Sequence, residues 1–247
     1  MNLSDLNEKF TDRVPAETSL ASPGNIEDWG KSKPIPWDAN DATTLNGKLK
    51  ERGWEVIGIG MGARVYKNPS YPNWVMKAFT PKDRGYMRFY SMAKRSENPH
   101  FPEVGRMGYL DFEETDDYPR RVFVVMIEQL TPIEKNPMTG QPTGDKLYVV
   151  QFLDKYTDGY CDEDGKLTDN GRGSISAGED AIRNVEYACT RGSVVFNLFP
   201  HLQEACDMVK NVIDSKKKYY QDVHQGNIMW RGTMPVFTDV IVAWERA

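Results

Sequence analysis

The feature that most constrains this chain lies near its C-terminus, where an Asp, an Asn and a second Asp follow one another at fixed spacing. Asp222 opens the stretch Asp-Val-His-Gln-Gly-Asn-Ile-Met, Asn227 comes five residues later, and Asp239 comes twelve residues after that. A carboxylate at the first position can accept the proton of an attacking hydroxyl, and the other two groups can hold Mg²⁺ on nucleotide phosphates. The set predicts a site for phosphoryl transfer. The simpler interpretation of Asp222 alone is a capping residue between a helix and a strand.

A glycine-rich segment lies upstream, at the distance expected of the nucleotide half of such a site. It reads Gly-x-Gly-x-Gly-Ala-x-Val, and a strand-like run ending in Lys77 follows twelve residues after the Val. Small residues let backbone N–H groups approach phosphate oxygens, and a lysine can pair with the α- and β-phosphates. By itself the segment is equally typical of a hairpin turn. A dinucleotide-binding loop is not expected, because that loop should open a helix. The predicted nucleotide contacts here are Gly58, Gly60, Gly62, Ala63, Val65 and Lys77.

Composition bounds the class of protein. The chain has 247 residues, 39% hydrophobic and 27% charged, which is enough for one two-lobed domain. A net charge of −5 argues against a broad nucleic-acid surface. No membrane span and no signal peptide are expected from the sequence. The three cysteines show neither metal-ligand spacing nor an even disulfide framework, which predicts a reducing, cytoplasmic environment.

The order of predicted elements gives an α+β chain with strands first and helices last. Residues 1–45 are polar and broken by prolines, which is typical of an extended arm. Residues 46–132 are predicted to form a sheet-containing lobe and its connecting segment, and residues 133–247 a minimal, mostly helical lobe. Apolar patterns predict strands at 53–59, 63–67, 73–79, 104–111 and 120–128, and helices at 83–95, from about 182, and from Pro200. Residues 136–173 are rich in Gly, Pro and Asp and give no element beyond an apolar stretch at 147–153.

From about Trp54 to Val242 the chain resembles the early Ser/Thr protein kinase domain of phages related to the T-odd coliphages. The most specific element is Asp-x-His-x-Gly-Asn-Ile-Met, supported by Pro-Val-Phe-Thr-Asp239, by Pro-Asn-Trp-Val-Met-Lys77 and by Lys82-Asp83. The resemblance implies a compact two-lobed protein-kinase-like fold, with an antiparallel N-lobe sheet and a truncated, mostly helical C-lobe.

The same resemblance implies an activity and a set of roles. ATP and Mg²⁺ would be the cofactors, and the γ-phosphate would pass to Ser/Thr of bacterial host proteins and to the enzyme itself, here on the arm at residues 1–45. Asp222, Lys77 and His224 would be catalytic, and Asn227 and Asp239 would hold the metal. Adenine would be bound by the backbones of Glu128 and Leu130, in the segment Glu-Gln-Leu-Thr-Pro that resembles a kinase hinge. Direct recognition of nucleic acid or membrane is not implied, and the oligomeric state is left open.

The sequence departs from ordinary protein kinases at several positions. Tyr220 replaces the His of His-Arg-Asp, and Val240 and Ile241 replace the Phe-Gly that follows the metal-binding Asp. The chain ends eight residues after Asp239, so no activation segment is expected. The helix at 83–95 has no central Glu to pair with Lys77. Its acidic partner could be Asp83 or Glu97, and the sequence favours neither.

Two other functions stay open at this point. Asp-x-His-x-x-Asn, with His224 at its centre, is shared with aminoglycoside and choline phosphotransferases, which act on small hydroxyl compounds. A pseudokinase that binds or inhibits a host factor is the other alternative, but the retained Lys77, Asp222, Asn227 and Asp239 argue against it. The remaining histidines, His100 and His201, suggest no partner and are given no role.

Overall fold

The structure is a computed structural model. It describes residues 45–60, 63–79, 84–114, 119–134, 144–164, 166–168, 178–190, 192–214 and 219–243. The predicted arm at 1–45 lies outside the described residues except for Leu45. The helices are α1 Leu45–Glu51, α2 Arg84–Ala93, α3 Asp145–Thr157, α4 Gly178–Cys189, α5 Gly192–Leu198 and α6 Leu202–Asp214. The strands are β1 Glu55–Ile59, β2 Ala63–Lys67, β3 Trp74–Phe79, β4 Val104–Glu114, β5 Pro119–Glu128, β6 Tyr220–Gln221, β7 Ile228–Arg231, β8 Met234–Phe237 and β9 Ile241–Val242.

The described chain divides into two units, and the protein is of the mixed α+β type. Unit 1 runs to Arg84 and resumes at Glu103–Gln129, whereas unit 2 comprises Gly85–Pro102 and everything from Leu130 onward. The two units therefore interleave along the sequence. Helix α2 and the loop after it belong with the C-terminal elements, although the sheet strands on both sides of them belong to unit 1.

Unit 1 is built on one antiparallel sheet of five strands in the order β1-β2-β3-β5-β4. The strands predicted from apolar patterns are confirmed. Strand β1 starts at Glu55 because Gly53 is in a turn with φ of +79°, a conformation that suits glycine. The register shifts in β1 between Val56 and Gly58, which marks a bulge at the entry to the glycine-rich turn.

One face of this sheet packs against α1. Leu49 of the helix joins a buried cluster of Tyr66, Met76, Ala78, Val122 and Val124. Each fully buried aliphatic side chain of this kind stabilises the folded state by about 1.5–3 kcal/mol. The Tyr66 hydroxyl donates to Asn46 Oδ1 at 2.7 Å. Burial raises the pKa of Tyr66 to about 12, so the hydroxyl keeps its proton and this bond at ordinary pH.

Unit 2 consists of helices and two short antiparallel ladders, β6 with β9 and β7 with β8. Helix α6 buries Leu202, Ala205, Cys206 and Val209, which share one side of a helix, so the apolar spacing predicted there is confirmed. The helices predicted at 83–95 and from about 182 correspond to α2 and α4.

Three helices were not predicted from the sequence. Helices α1 and α5 have only seven residues each, too few to establish a period. Helix α3 is longer, but it lies in the segment that the sequence assigned to loop. Its buried side chains are Val149, Val150, Phe152, Leu153, Tyr156 and Thr157. They share one side of the helix, but the half-buried Leu147 and Tyr148 lie off that side. The sequence therefore shows a nearly continuous apolar stretch instead of a clear helical period.

The cysteines differ from the sequence expectation. A disulfide joins Cys161 to Cys189 at the end of α4, and Cys206 is unpaired and buried. The expectation of no disulfide framework is wrong. The partners are 28 residues apart and are brought together by the packing of α3 on α4, which cysteine spacing does not reveal. None of the helices in the described ranges is long and apolar enough to cross a membrane.

Candidate active site

The predicted acid residue lies on a short loop that follows strand β6. The ladder between β6 and β9 continues one step beyond the strands, because the Asp222 N–H donates to the Val240 carbonyl at 2.9 Å. This bond holds Asp222 beside the residue that follows Asp239. The Asp222 side chain is 37% exposed, so its carboxylate is open to a reactant.

The Asn227 side-chain amide joins the parts of this loop. Its nitrogen lies 2.8 Å from Asp222 Oδ2, 2.9 Å from the Asp222 carbonyl and 3.3 Å from the Asp239 carbonyl. The residue is 9% exposed, and its own backbone carbonyl accepts from the Thr238 N–H at 2.7 Å. With the nitrogen occupied in this way, the amide oxygen Oδ1 is the atom that remains to coordinate a cation.

The His224 ring lies beside both Asp222 and Asn227. Its Nδ1 accepts a hydrogen bond from the Gly226 N–H at 2.9 Å, so in the neutral ring the proton is on Nε2. Nε2 lies 3.6 Å from Asp222 Oδ2 and 3.0 Å from the Asn227 amide nitrogen. Because an amide nitrogen cannot accept a hydrogen bond, the Asp222 carboxylate is, of these two neighbours, the one toward which the Nε2 proton can act.

Asp239 is held in an uncommon conformation. Its φ is 56°, in the left-handed region, and the residue is 3% exposed. Its Oδ1 accepts a hydrogen bond of 2.6 Å from the Tyr90 hydroxyl on α2. Burial and the neighbouring Tyr86 raise the pKa of Tyr90, so the hydroxyl stays protonated and donates. Left-handed backbone at a non-glycine residue persists only where the surroundings hold it.

In unit 1, three predicted nucleotide contacts form one row across the sheet. Gly58 pairs with Val65, and Val65 pairs with Lys77 on the next strand. Directly paired residues of antiparallel strands share a face. The Val65 and Lys77 side chains are half-buried on the face opposite the α1 cluster. Strand register thus brings together residues that are 7 and 12 positions apart in the sequence.

The turn between β1 and β2 contains the remaining small residues. The Gly60 N–H donates to the Ala63 carbonyl at 2.9 Å, and the Arg64 guanidinium lies 3.4 Å from the Gly60 carbonyl. Ala63 is buried at the start of β2. Gly62 lies outside the described residues.

The predicted hinge continues from strand β5. The Glu128 N–H donates to the Glu103 carbonyl at 3.1 Å, so this N–H is engaged within unit 1. The Glu128 side chain also accepts from the Glu103 N–H at 2.8 Å. Leu130, at the start of the next unit, is half-buried. Of the two proposed acidic partners of Lys77, Glu97 is exposed beyond the end of α2, and Asp83 lies outside the described residues.

The donor set at 227 and 239 fits Mg²⁺. It offers an amide oxygen and a carboxylate, both hard oxygen ligands, and Mg²⁺ is ordinarily held by one or two carboxylates together with phosphates and water. Across the described part of the chain, no group of three or more His, Cys, Asp or Glu side chains is arranged to hold a metal ion.

Two residues at and near the site were missed from the sequence. Tyr90 is one of the residues whose spacing predicts the helix at 83–95, and nothing in the sequence marks its hydroxyl as a partner of Asp239. His100, which was given no role, is 1% exposed, with its ring nitrogens 2.7 Å from the Pro235 carbonyl and 2.9 Å from the Pro200 carbonyl. It joins β8 to the start of α6 from a position that sequence spacing does not reveal.

Neither a protein-family model nor a curated protein sequence matches this chain.

Proposed function

We propose that this chain is a Mg²⁺-dependent protein kinase that transfers the γ-phosphate of ATP to Ser/Thr of bacterial host proteins and to itself. We further propose that its two units are the lobes of a protein-kinase-like fold. The observation that carries the proposal is the Asn227 amide. It contacts both Asp222 and the Asp239 backbone through nitrogen and leaves its oxygen for a cation.

The reaction assigns one role to each group. The hydroxyl oxygen of the substrate forms a bond to the γ-phosphorus while the bond from that phosphorus to the ADP oxygen breaks, and the hydroxyl proton passes to Asp222. Asn227 and Asp239 hold the cation, which supplies charge neutralisation on the phosphates when bound. Lys77, on the same face of the sheet as Val65, supports the α- and β-phosphates.

The bonding of Asp222 supports its role as the base. The carboxylate accepts from the Asn227 amide at 2.8 Å, which fixes its plane, and it is exposed enough to meet a substrate hydroxyl. A capping role would require bonds from the carboxylate to the first N–H groups of a following helix. Asp222 is followed by a loop and by strand β7.

A second function is favoured by one observation. His224 Nε2 lies 3.6 Å from the Asp222 carboxylate, and the ring is 53% exposed. This arrangement and the Asp-x-His-x-x-Asn spacing would also suit a phosphotransferase acting on a small hydroxyl compound. The two proposals share the same base, metal ligands and nucleotide, and they differ only in the acceptor.

One experiment separates these functions. The protein is incubated with γ-labelled ATP, Mg²⁺ and a bacterial lysate, and labelled proteins and labelled small molecules are then separated. Labelled protein bands that vanish with Asp222→Ala support the protein kinase, and labelled small molecules alone support the second function. The matched control is Asp164→Ala, an aspartate whose side chain is 72% exposed and lies 3.7 Å from Lys166. If the wild type binds nucleotide but transfers no phosphate, the result supports the pseudokinase instead.

A further inference from the structure

A buried tyrosine contacts the carboxylate to which we assign the metal. Tyr90 is 0% exposed, and its hydroxyl donates to Asp239 Oδ1 at 2.6 Å, across 149 residues of sequence. Hydrogen bonds to an ionised acceptor are shorter and stronger than neutral ones. At 2.6 Å, the bond from Tyr90 to Asp239 is at the short end of the range for O–H···O hydrogen bonds. It holds one oxygen of the Asp239 carboxylate in a fixed direction.

The helix that carries Tyr90 is fixed to the segment that carries Asp239. At Gly85, in the first turn of α2, an added Cβ would lie 2.4 Å from both the Ile241 carbonyl oxygen and Val242 Cα, so helix and strand backbones are in direct contact there. From the same helix, Phe89 packs edge-on against Phe101. The Phe101 ring in turn lies 6.1 Å from the ring of Phe237, two residues before Asp239. Both flanks of Asp239 are therefore attached to α2 or to its neighbours.

The Asp239 backbone needs such support. Its φ of 56° is unfavourable for a residue with a Cβ and persists only when contacts hold it. The Tyr90 hydroxyl holds the side chain, and the Asn227 amide lies 3.3 Å from the Asp239 carbonyl. Partners behind a metal ligand of this kind orient it, and their loss typically weakens metal binding.

We propose that Tyr90 is a positioning residue that orients the Asp239 carboxylate for Mg²⁺. The inference rests on the proposed function, since it takes Asp239 as a metal ligand. In this arrangement helix α2 acts on the proposed metal ligand through a neutral hydroxyl. In this proposal Tyr90 is not itself a metal ligand and acts on the metal through Asp239.

The test is Tyr90→Phe, which removes one oxygen and keeps the ring. The probe is Mn²⁺, whose binding to the protein with a non-hydrolysable ATP analogue is measured from the loss of the free-ion signal in electron paramagnetic resonance. We expect Mn²⁺ binding to weaken by about 10- to 100-fold, the usual cost of losing a partner behind a metal ligand. In turnover assays the half-saturating Mg²⁺ concentration should rise by a similar factor, and kcat at saturating Mg²⁺ should fall less.

The matched control is Tyr156→Phe. Tyr156 is 4% exposed, lies in the same unit, and donates to a different carboxylate, Asp207 Oδ1, at 3.1 Å. A general loss of stability should affect both variants, whereas weaker Mn²⁺ binding should be confined to Tyr90→Phe. Equal Mn²⁺ binding by wild type and Tyr90→Phe would overturn the inference and leave the proposed function standing. No metal-dependent nucleotide binding by the wild type would overturn both.

A second measurement covers the case in which Tyr90→Phe does not fold. Replacing Tyr90 with 3-fluorotyrosine keeps the hydroxyl and adds a fluorine reporter. Its ¹⁹F resonance should shift during a Mg²⁺ titration with nucleotide analogue present, with the same midpoint as metal binding. A resonance that stays in place while the metal binds would contradict the role.

Discussion

The two units position their candidate residues by different means. In unit 1, Gly58, Val65 and Lys77 are neighbours because three adjacent strands are in register. In unit 2, Asp222 and Asn227 lie on a loop, and side-chain hydrogen bonds from the Asn227 amide set their geometry. A sheet row tolerates small changes, since its backbone ladder is independent of any one side chain. A loop whose geometry depends on the Asn227 side-chain amide tolerates such changes less well. Substitutions in unit 2 should therefore have the larger effects.

The largest effect is expected at Asp239. Asp239→Ala removes the carboxylate that we propose as a metal ligand. It also removes the acceptor of the Tyr90 hydroxyl, which is then buried without that partner. We expect phosphoryl transfer to be lost and Mg²⁺-dependent nucleotide binding to weaken, as measured by labelled-phosphate transfer and by calorimetry with and without EDTA. Unchanged turnover would remove Asp239 from the site. Asp164→Ala, on an exposed loop, is the control.

Asp222→Asn should act on the chemical step. The amide keeps the size of the side chain and one oxygen acceptor for the Asn227 amide, but it cannot take up the substrate proton. A positioned general base contributes roughly 10²- to 10⁴-fold, so kcat should fall by that order. The KM for ATP should change little in steady-state kinetics. A large rise in that KM with an unchanged kcat would instead identify Asp222 as a nucleotide-binding residue.

Lys77→Arg should have an intermediate effect, and it tests the tolerance of unit 1. The sheet can accept arginine, but a planar guanidinium fork does not replace a compact ammonium beside the phosphates. We expect kcat to fall by about tenfold or more, equivalent to about 1.4 kcal/mol of transition-state stabilisation. Lys67→Arg is matched to it, since Lys67 is also half-buried and lies on the neighbouring strand. Full activity of Lys77→Arg would refute the assignment.

Sequence patterns predicted unit 1 well because strand alternation and register are local properties. The spacing of Gly58, Val65 and Lys77 on successive strand-like runs leads directly to the observed row. The same reasoning missed α3, because its apolar stretch at 147–153 is nearly continuous and shows no clear helical period. The pairing of Cys161 with Cys189 depends on how two helices pack, and no local pattern encodes that.

The sequence predicted the residues of the candidate site in unit 2 but not the contacts that hold them in place. The spacing of Asp222, Asn227 and Asp239 is a sequence property, and the structure brings these residues together through the β6–β9 ladder and the Asn227 amide. Tyr90 was not identified, because an apolar helical pattern cannot tell a core tyrosine from one whose hydroxyl meets a carboxylate 149 residues away. Hydrogen bonds between residues so far apart in the sequence can be identified only from the folded structure.

The smallest expected effects come from one pair of glycine substitutions, and these compare the two units most directly. At Gly58 an added Cβ would lie 3.4 Å from Val65 Cβ, which is close to ordinary contact. At Gly226 it would lie 2.8 Å from His224 Cε1 and 3.1 Å from Nδ1, so the ring must move. The same added methyl is therefore accommodated in the sheet row but displaces a side chain in the loop.

We expect Gly226→Ala to lower kcat by a few-fold, because the displaced ring loses the N–H contact at 2.9 Å and its position near Asp222. Gly58→Ala should leave kcat close to wild type and raise the KM for ATP slightly, since the backbone there is expected to approach phosphate. Steady-state kinetics of both variants, with His224→Ala as a reference, checks the pair. If His224 supports the reaction, the kcat of Gly226→Ala should approach the kcat of His224→Ala. A wild-type kcat in both Gly226→Ala and His224→Ala would exclude a role for His224, and the Asp222–Asn227 pair would then act without the ring.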